Sequence, residues 1–134
     1  MSVNVYQLQA AAEPENTPLL LPGKETLLLE SSEESRGVLC SLCGHVITKP
    51  EHKFAINGQY RFSFTNPGGI QFEIVCYSQA PGCNVSTESS LANTWFPGFS
   101  WSIATCSECK LHLGWMYHSV NHSFYGLILN RIIE

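Results

Sequence analysis

The chain of 134 residues contains no aspartate, only seven basic side chains, and no apolar run long enough to cross a bilayer as a helix. Each shortage removes a class of function. His52, His118 and His122 have no Asp to orient them and no nucleophile at a telling spacing, so Ser-His catalysis has no support. Scarce and scattered Lys and Arg leave no basic stripe for phosphate contacts, which argues against a nucleic-acid partner. Neither a span nor a polybasic anchor points to a membrane partner. The N-terminus also lacks the basic region of a secretory signal, which sets the expectation of a cytoplasmic protein.

Charge is unevenly spread. Residues 1–36 carry six of the eleven acids and two of the seven bases, net −4, whereas residues 37–134 balance five against five. Pro14, Pro18 and Pro22 interrupt the first stretch, and its leucine triplets Leu19–Leu21 and Leu27–Leu29 show no sustained helical period. The expected division is a flexible acidic arm over 1–36 and one folded domain over 37–134.

Six cysteines are present, and four form two matched pairs, Cys40-Ser-Leu-Cys43 and Cys106-Ser-Glu-Cys109. Each Cys-x-x-Cys turn aims two thiolates at one ion, and two turns complete the tetrahedral four-sulfur shell of a single structural Zn²⁺. Two disulfides would need an oxidising compartment, which no recognisable secretory signal indicates. A thioredoxin-like redox motif needs one pair, not two. An iron–sulfur cluster uses the same four thiolates, and spacing does not separate it from zinc. Cys76 reads as a small buried hydrophobe and Cys83 as a loop thiol. His45 and His112, just after the knuckles, are expected to support the thiolates rather than replace them.

Beyond Cys40 the pattern is strand and turn. Tyr60, Phe62 and Phe64 alternate with polar residues, Asn66-Pro-Gly-Gly69 turns the chain, and Ile70, Phe72, Ile74 and Cys76 share one face of the returning run. Trp101–Thr105 leads into the second knuckle, Leu111–His118 leaves it, and Phe124–Ile133 forms a last β-rich run. The fold class expected is mainly β, a single domain of antiparallel sheets clipped by zinc in a tent-like arrangement.

All three tryptophans flank the second knuckle. The Pro-Gly turn in Trp95-Phe-Pro-Gly-Phe-Ser-Trp101 is expected to bring Trp95 and Trp101 together, and the zinc ties the strand of Trp115 to theirs. Three indoles can then wall one small box, or they can be ordinary core. Gly98, Gly114 and Gly126 are expected to leave the edges of the box loose.

The knuckle pair, Ile47-Thr-Lys49, Asn66-Pro-Gly68, Trp95-Phe-Pro-Gly-Phe-Ser-Trp101, His112-Leu-Gly-Trp115 and Phe124-Tyr-Gly-Leu127 together resemble the thalidomide-binding (CULT) domain of cereblon, from about residue 38 onward. With no Lon-like or adaptor-binding part preceding it, the chain resembles the short stand-alone bacterial form, for which ubiquitin-ligase partners are not implied. The resemblance implies a small-molecule binding module. Trp95, Trp101 and Trp115 would be cage walls, Tyr117 the floor, Asn66 a contact at the rim, and Phe124 to Gly126 the backing. Asn93 and Thr94 would present backbone groups to an imide, although position 93 is a histidine in eukaryotic members. Thalidomide-type glutarimides, cyclic imides at protein C-termini and uridine-like rings are the ligands implied.

Two other classes compete. A three-tryptophan box also suits methylated ammonium groups through cation–π attraction, but the nearest acid preceding Trp95 is Glu88. A methionine sulfoxide reductase of the R-epimer type shares paired knuckles on a β fold, but its nucleophile would lie after Cys109, where no cysteine occurs. Binding without turnover is the expectation.

Overall fold

The computed structural model describes residues 37–134, so the arm expected over 1–36 lies outside the described residues. Among the described residues nine strands form, with 3-10 turns at Pro50–His52 and Leu129–Arg131. β1 (Val38–Cys40) and β2 (Val46–Thr48) flank the first knuckle. β3 (Arg61–Thr65) and β4 (Gln71–Tyr77) form the hairpin expected around Asn66-Pro-Gly-Gly69, in register from Arg61 opposite Val75 to Thr65 opposite Gln71. β5 (Cys83–Val85), β6 (Ser100–Cys106), β7 (His112–His118), β8 (Ser123–Ile128) and β9 (Ile132–Ile133) follow.

Two antiparallel sheets result, ordered β9-β1-β2 and β3-β4-β8-β7-β6-β5. The β-rich run expected over 124–133 serves both. Its first part pairs with β4 and β7, the turn at Leu129–Arg131 redirects it, and Ile132 then pairs with Cys40. Cys83 sits in a strand opposite Cys106 and is half-buried, which corrects its reading as a loop thiol. Among the described residues no helix is long and apolar enough to cross a membrane.

Period-two alternation sends side chains of the large sheet into two cores. Val75, Tyr77, Cys106, Leu113 and Leu127 join Val38, Cys40 and Ile47 of the small sheet in the first. Gly82 fixes their approach: its N–H donates to the Ile47 carbonyl at 2.9 Å, and a Cβ there would run into the Val46 carbonyl oxygen. Phe72, Ile74, Cys76, Trp115, Tyr117, Phe124 and Ile128 form the second, overwhelmingly aromatic core. Its cover is not a sheet but segments around Phe54–Ile56 and Trp95–Phe99.

Gly114 and Gly126 are closed in rather than loose. A Cβ on Gly114 would collide with the Gly126 carbonyl oxygen, and one on Gly126 would lie 3.2 Å from the Tyr117 ring and 2.8 Å from Ile74. Both are buried where β7 and β8 run against each other. Gly98 alone of the three is an exposed turn glycine, at φ +92°.

Candidate metal centre and ligand site

The knuckles share one backbone design. The N–H of the first cysteine donates to the carbonyl five residues on, Cys40 to His45 at 2.9 Å and Cys106 to Leu111 at 2.8 Å. Its carbonyl accepts the N–H four residues on, from Gly44 and from Lys110, both at 2.9 Å. That fourth residue has a left-handed backbone in each case, φ +81° at Gly44 and φ +71° at Lys110.

Cys40 Sγ lies 3.6 Å from Cys109 Sγ, Cys43 Sγ lies 3.6 Å from Cys106 Sγ, and all four sulfurs fall within 4.8 Å of one another. A tetrahedron with metal–sulfur bonds of ~2.3 Å has edges of about 3.8 Å, so the donor set fits an ion such as zinc. None of the six cysteines is in a disulfide. Burial opposes charge at Cys106, but N–H donors of Cys109 and Glu108 and the thiols of Cys43 and Cys109 outweigh it and lower the group to about 7. At Cys40 burial prevails over similar donors and pushes the thiol up. Four thiolates this close would repel one another unless a cation neutralised them, and the set could hold a metal ion.

The two histidines beside the knuckles take up supporting positions. His45 Nε2 is 3.1 Å from Ser107 Oγ, joining one knuckle to the other. His112 Nε2 contacts the Gly114 carbonyl at 2.9 Å and its ring meets Trp115 edge to face. Burial lowers His112 to about 4, so it is neutral near pH 7 and donates to that carbonyl.

Trp95, Trp101, Trp115 and Tyr117 all belong to the second core. Trp101 pairs with Tyr117 across β6 and β7, and Trp115 stands two residues away on the same face. Trp95 meets Trp115 edge to face at 5.3 Å, with Phe72 against both. Trp115 and Tyr117 are only 1% and 2% exposed, whereas Trp95 and Trp101 are half-buried. The Pro97-Gly98 turn closes between Phe96 and Phe99, through Phe99 N–H to Phe96 O at 2.9 Å, rather than by pairing Trp95 with Trp101. Trp95 instead stacks on Phe64 at 4.7 Å, and Trp101 donates its Nε1–H to Ala92 O at 2.9 Å. Phe64 and Phe72 had a sequence signal only as apolar positions of the hairpin strands; their place beside the tryptophans comes from the packing.

The remaining candidates have structural duties. Asn66 Oδ1 accepts the Ile70 N–H at 2.9 Å and locks the hairpin turn. Thr94 donates its hydroxyl to Phe99 O at 2.8 Å, bracing the aromatic loop from inside. Asn93 is exposed with φ +54°, a left-handed conformation that Asn tolerates better than most residues. Phe124 stacks on Tyr117 at 5.2 Å, and Gly126 lies beneath the same ring. A groove of about 620 Å³ opens between the covering segments, floored by Phe62, Phe64 and Phe124; it uses Trp95 but not Trp101, Trp115 or Tyr117.

His118 does have a hydroxyl neighbour, contrary to expectation. Ser100 Oγ lies 3.5 Å from both ring nitrogens, as the cross-strand partner of His118 at the ends of β6 and β7. Oγ equidistant from both nitrogens is aligned with neither lone pair, so this is strand pairing and not a nucleophile–base contact.

No family model matches the chain. Among curated proteins it is similar to cereblon of Danio rerio (30% identical over 76 residues, 53% of this chain and 18% of the relative) and of Xenopus tropicalis (34% over 70 residues, 48% and 16%). Cereblon of Drosophila melanogaster is 38% identical over 94 residues, 65% of this chain and 15% of the relative. This chain carries a cereblon-related domain. It spans less than a fifth of the length of the cereblons it matches. The knuckles and the aromatic face described above are therefore features of a cereblon-related domain, and what the much longer cereblons do as whole proteins is a separate matter.

Proposed function

We propose that this cereblon-related domain is a binding module for neutral cyclic imides, with Trp95, Trp101 and Trp115 as walls, Tyr117 as floor, and one structural Zn²⁺ held by Cys40, Cys43, Cys106 and Cys109. The observation that carries the reading is the convergence of these four aromatic side chains on one face, two buried and two half-exposed. Flat indoles cover the faces of a planar ring while a few polar groups read its edge. The buried pair would form the fixed part of the site, and half-exposed Trp95 and Trp101 would part to admit the ligand. Backbone groups at Asn93 and Thr94 and the amide of Asn66 would serve the rim. A glutarimide of about eight heavy atoms, somewhat below the ceiling of ~1.5 kcal/mol per atom, gives micromolar affinity. Glutarimides of the thalidomide type, C-terminal cyclic imides of proteins and uridine-like rings all present the required edge.

Binding without turnover belongs to the same proposal. Burial pushes both Cys76 and Cys83 up to about 12, so neither supplies the thiolate that sulfoxide reduction requires. The reduced thiols fit a cytoplasmic setting, and the charge balance of 37–134 fits a partner other than nucleic acid.

The test is a titration of the zinc-loaded protein with glutarimide, N-methylglutarimide and a trimethyl-lysine peptide, followed by tryptophan fluorescence. Saturable micromolar binding of glutarimide alone is expected, because methylation removes the imide donor and adds bulk. Tighter binding of the ammonium peptide would replace this reading by a cation cage.

A further inference from the structure

The outer face of the small sheet carries an apolar row. Ile133 of β9 stands opposite Leu39 of β1, and Leu39 stands opposite Val46 of β2, so the three side chains lie side by side across the whole width of the sheet. Their chain neighbours Val38, Cys40, Ile47 and Ile132 point the other way, into the core shared with the large sheet, whereas the row belongs to neither core. Val46 is 45% and Ile133 52% exposed, and Leu39 is half-buried. The solvent side of an antiparallel sheet is ordinarily polar, and here every strand places an aliphatic side chain on it. The chain also enters the fold against this row. Gly37, the first described residue, is buried, and a Cβ there would lie 2.8 Å from Cγ1 of Val46. Residues 1–36 thus join the fold beside the Val46 side chain, and the triplet Leu27-Leu28-Leu29 ends eight positions before Gly37.

We propose that Leu27, Leu28 and Leu29 fold back over Ile133, Leu39 and Val46, so that this stretch of the chain is the cover of the small sheet. Reach is ample: eight residues span up to about 26 Å at ~3.3 Å each, and the row is about 10 Å across at ~4.8 Å between strands. A second copy of the chain is the poorer occupant, because three side chains fall far short of the ~800 Å² a side that a stable interface between chains needs. A tethered segment needs much less, since its local concentration is on the order of millimolar. The row and the aromatic face lie on opposite sides of the molecule, with the small sheet, the first core and the large sheet between them. The cover therefore leaves the aromatic face open, and it stands or falls independently of the ligand reading.

Methyl-labelled, zinc-loaded full-length protein tests this by NMR, beside the same chain carrying Leu27→Ser, Leu28→Ser and Leu29→Ser together. Cross-relaxation peaks are expected between methyls of the triplet and those of Leu39, Val46 and Ile133. The triple variant should lose these peaks and shift the three row signals, while the indole N–H signals of the tryptophans stay in place. Val46→Lys, at an exposed position of an edge strand, should release the triplet from the other side, narrowing the leucine methyl signals to the widths of a free chain. Row signals that are identical in the native chain and the triple variant, with no peaks to the triplet, overturn the inference. So do row signals that move with protein concentration alongside a dimer in sedimentation, which would make a second copy the cover.

Discussion

The two faces of the six-stranded sheet are built by different means. One is closed by a second sheet and by the paired knuckles, with aliphatic side chains such as Val38, Ile47, Val75, Leu113 and Leu127 filling the space. The other is closed by loops, and its filling is mostly aromatic: Phe72, Phe96, Trp115, Tyr117 and Phe124, with Phe54, Phe62, Phe64, Trp95, Phe99 and Trp101 at the margin. The contrast shows where stability and adaptability reside in a domain this small. With an ion bound by the four thiolates, that face could not open locally without giving up metal–sulfur bonds. A loop such as Trp95–Phe99 gives up ring contacts worth ~0.5–1.5 kcal/mol each beyond their area. The face with the cheaper cover is the one that carries the tryptophans.

The strongest way to break this contrast is to remove a metal ligand. Cys106→Ser should cost most of the ~10–16 kcal/mol typical of small structural zinc sites and leave the chain unfolded, with the aromatic face lost as well. Circular dichroism of the variant, and of the native protein in excess chelator, checks this. A variant that stays folded would show that the aromatic face stands without the clip.

Acid is expected to act next, through His112, which lies between the second knuckle and Trp115. Burial depresses its folded value to about 4 from an unfolded 6.5, so above pH 6.5 both states are neutral and full stability is present. As pH falls from 6.5 towards 4 the unfolded chain takes up the proton first, and on the order of 3 kcal/mol is lost. Metal release by protonated thiols overlaps this window. The comparison that isolates His112 is therefore the slope of denaturation midpoint against pH in the native protein and in His112→Gln, which should be shallower by about one proton.

The smallest effect concerns the knuckles themselves, which differ at one left-handed position, Gly44 in the first and Lys110 in the second. A Cβ at Gly44 would meet nothing within 4 Å, so Gly44→Ala probes backbone strain alone and should destabilise by about 1 kcal/mol. Lys110→Gly should gain a few tenths to ~1 kcal/mol, the relief of strain being partly offset by a freer unfolded chain. Thermal midpoints of the two metallated variants are expected to move in opposite directions.

Much of this was legible in the residues. Cys-x-x-Cys spacing is rigid enough that four sulfurs could be assigned to one cluster without a structure, and the β3–β4 hairpin follows from alternation around Asn66-Pro-Gly-Gly69. Short strands were not legible: β1, β2 and β5 have three residues each, too few to show a period, and exist because the knuckles and Gly82 hold them in place. The last run reads as uninterrupted β sequence because nothing local marks the turn at Leu129–Arg131. Its cause is tertiary, with the Arg131 carbonyl accepting the Ser41 N–H at 3.0 Å and its guanidinium donating to His112 O at 2.8 Å. Among the aromatics, the sequence placed the tryptophans near the metal, but which ring touches which depended on side-chain packing. Hence Trp95 stacks on Phe64, and the Pro-Gly turn serves Phe96 and Phe99.

The position of the knuckles along the chain has a topological consequence. Each pair is local, three residues apart, while the two pairs enclose a segment of 62 residues. A bound ion is therefore also a cross-link, and closing a loop of that length removes about 4 kcal/mol of chain entropy from the unfolded ensemble by the same reckoning used for a disulfide. It does so without an oxidant, and reversibly with the supply of metal.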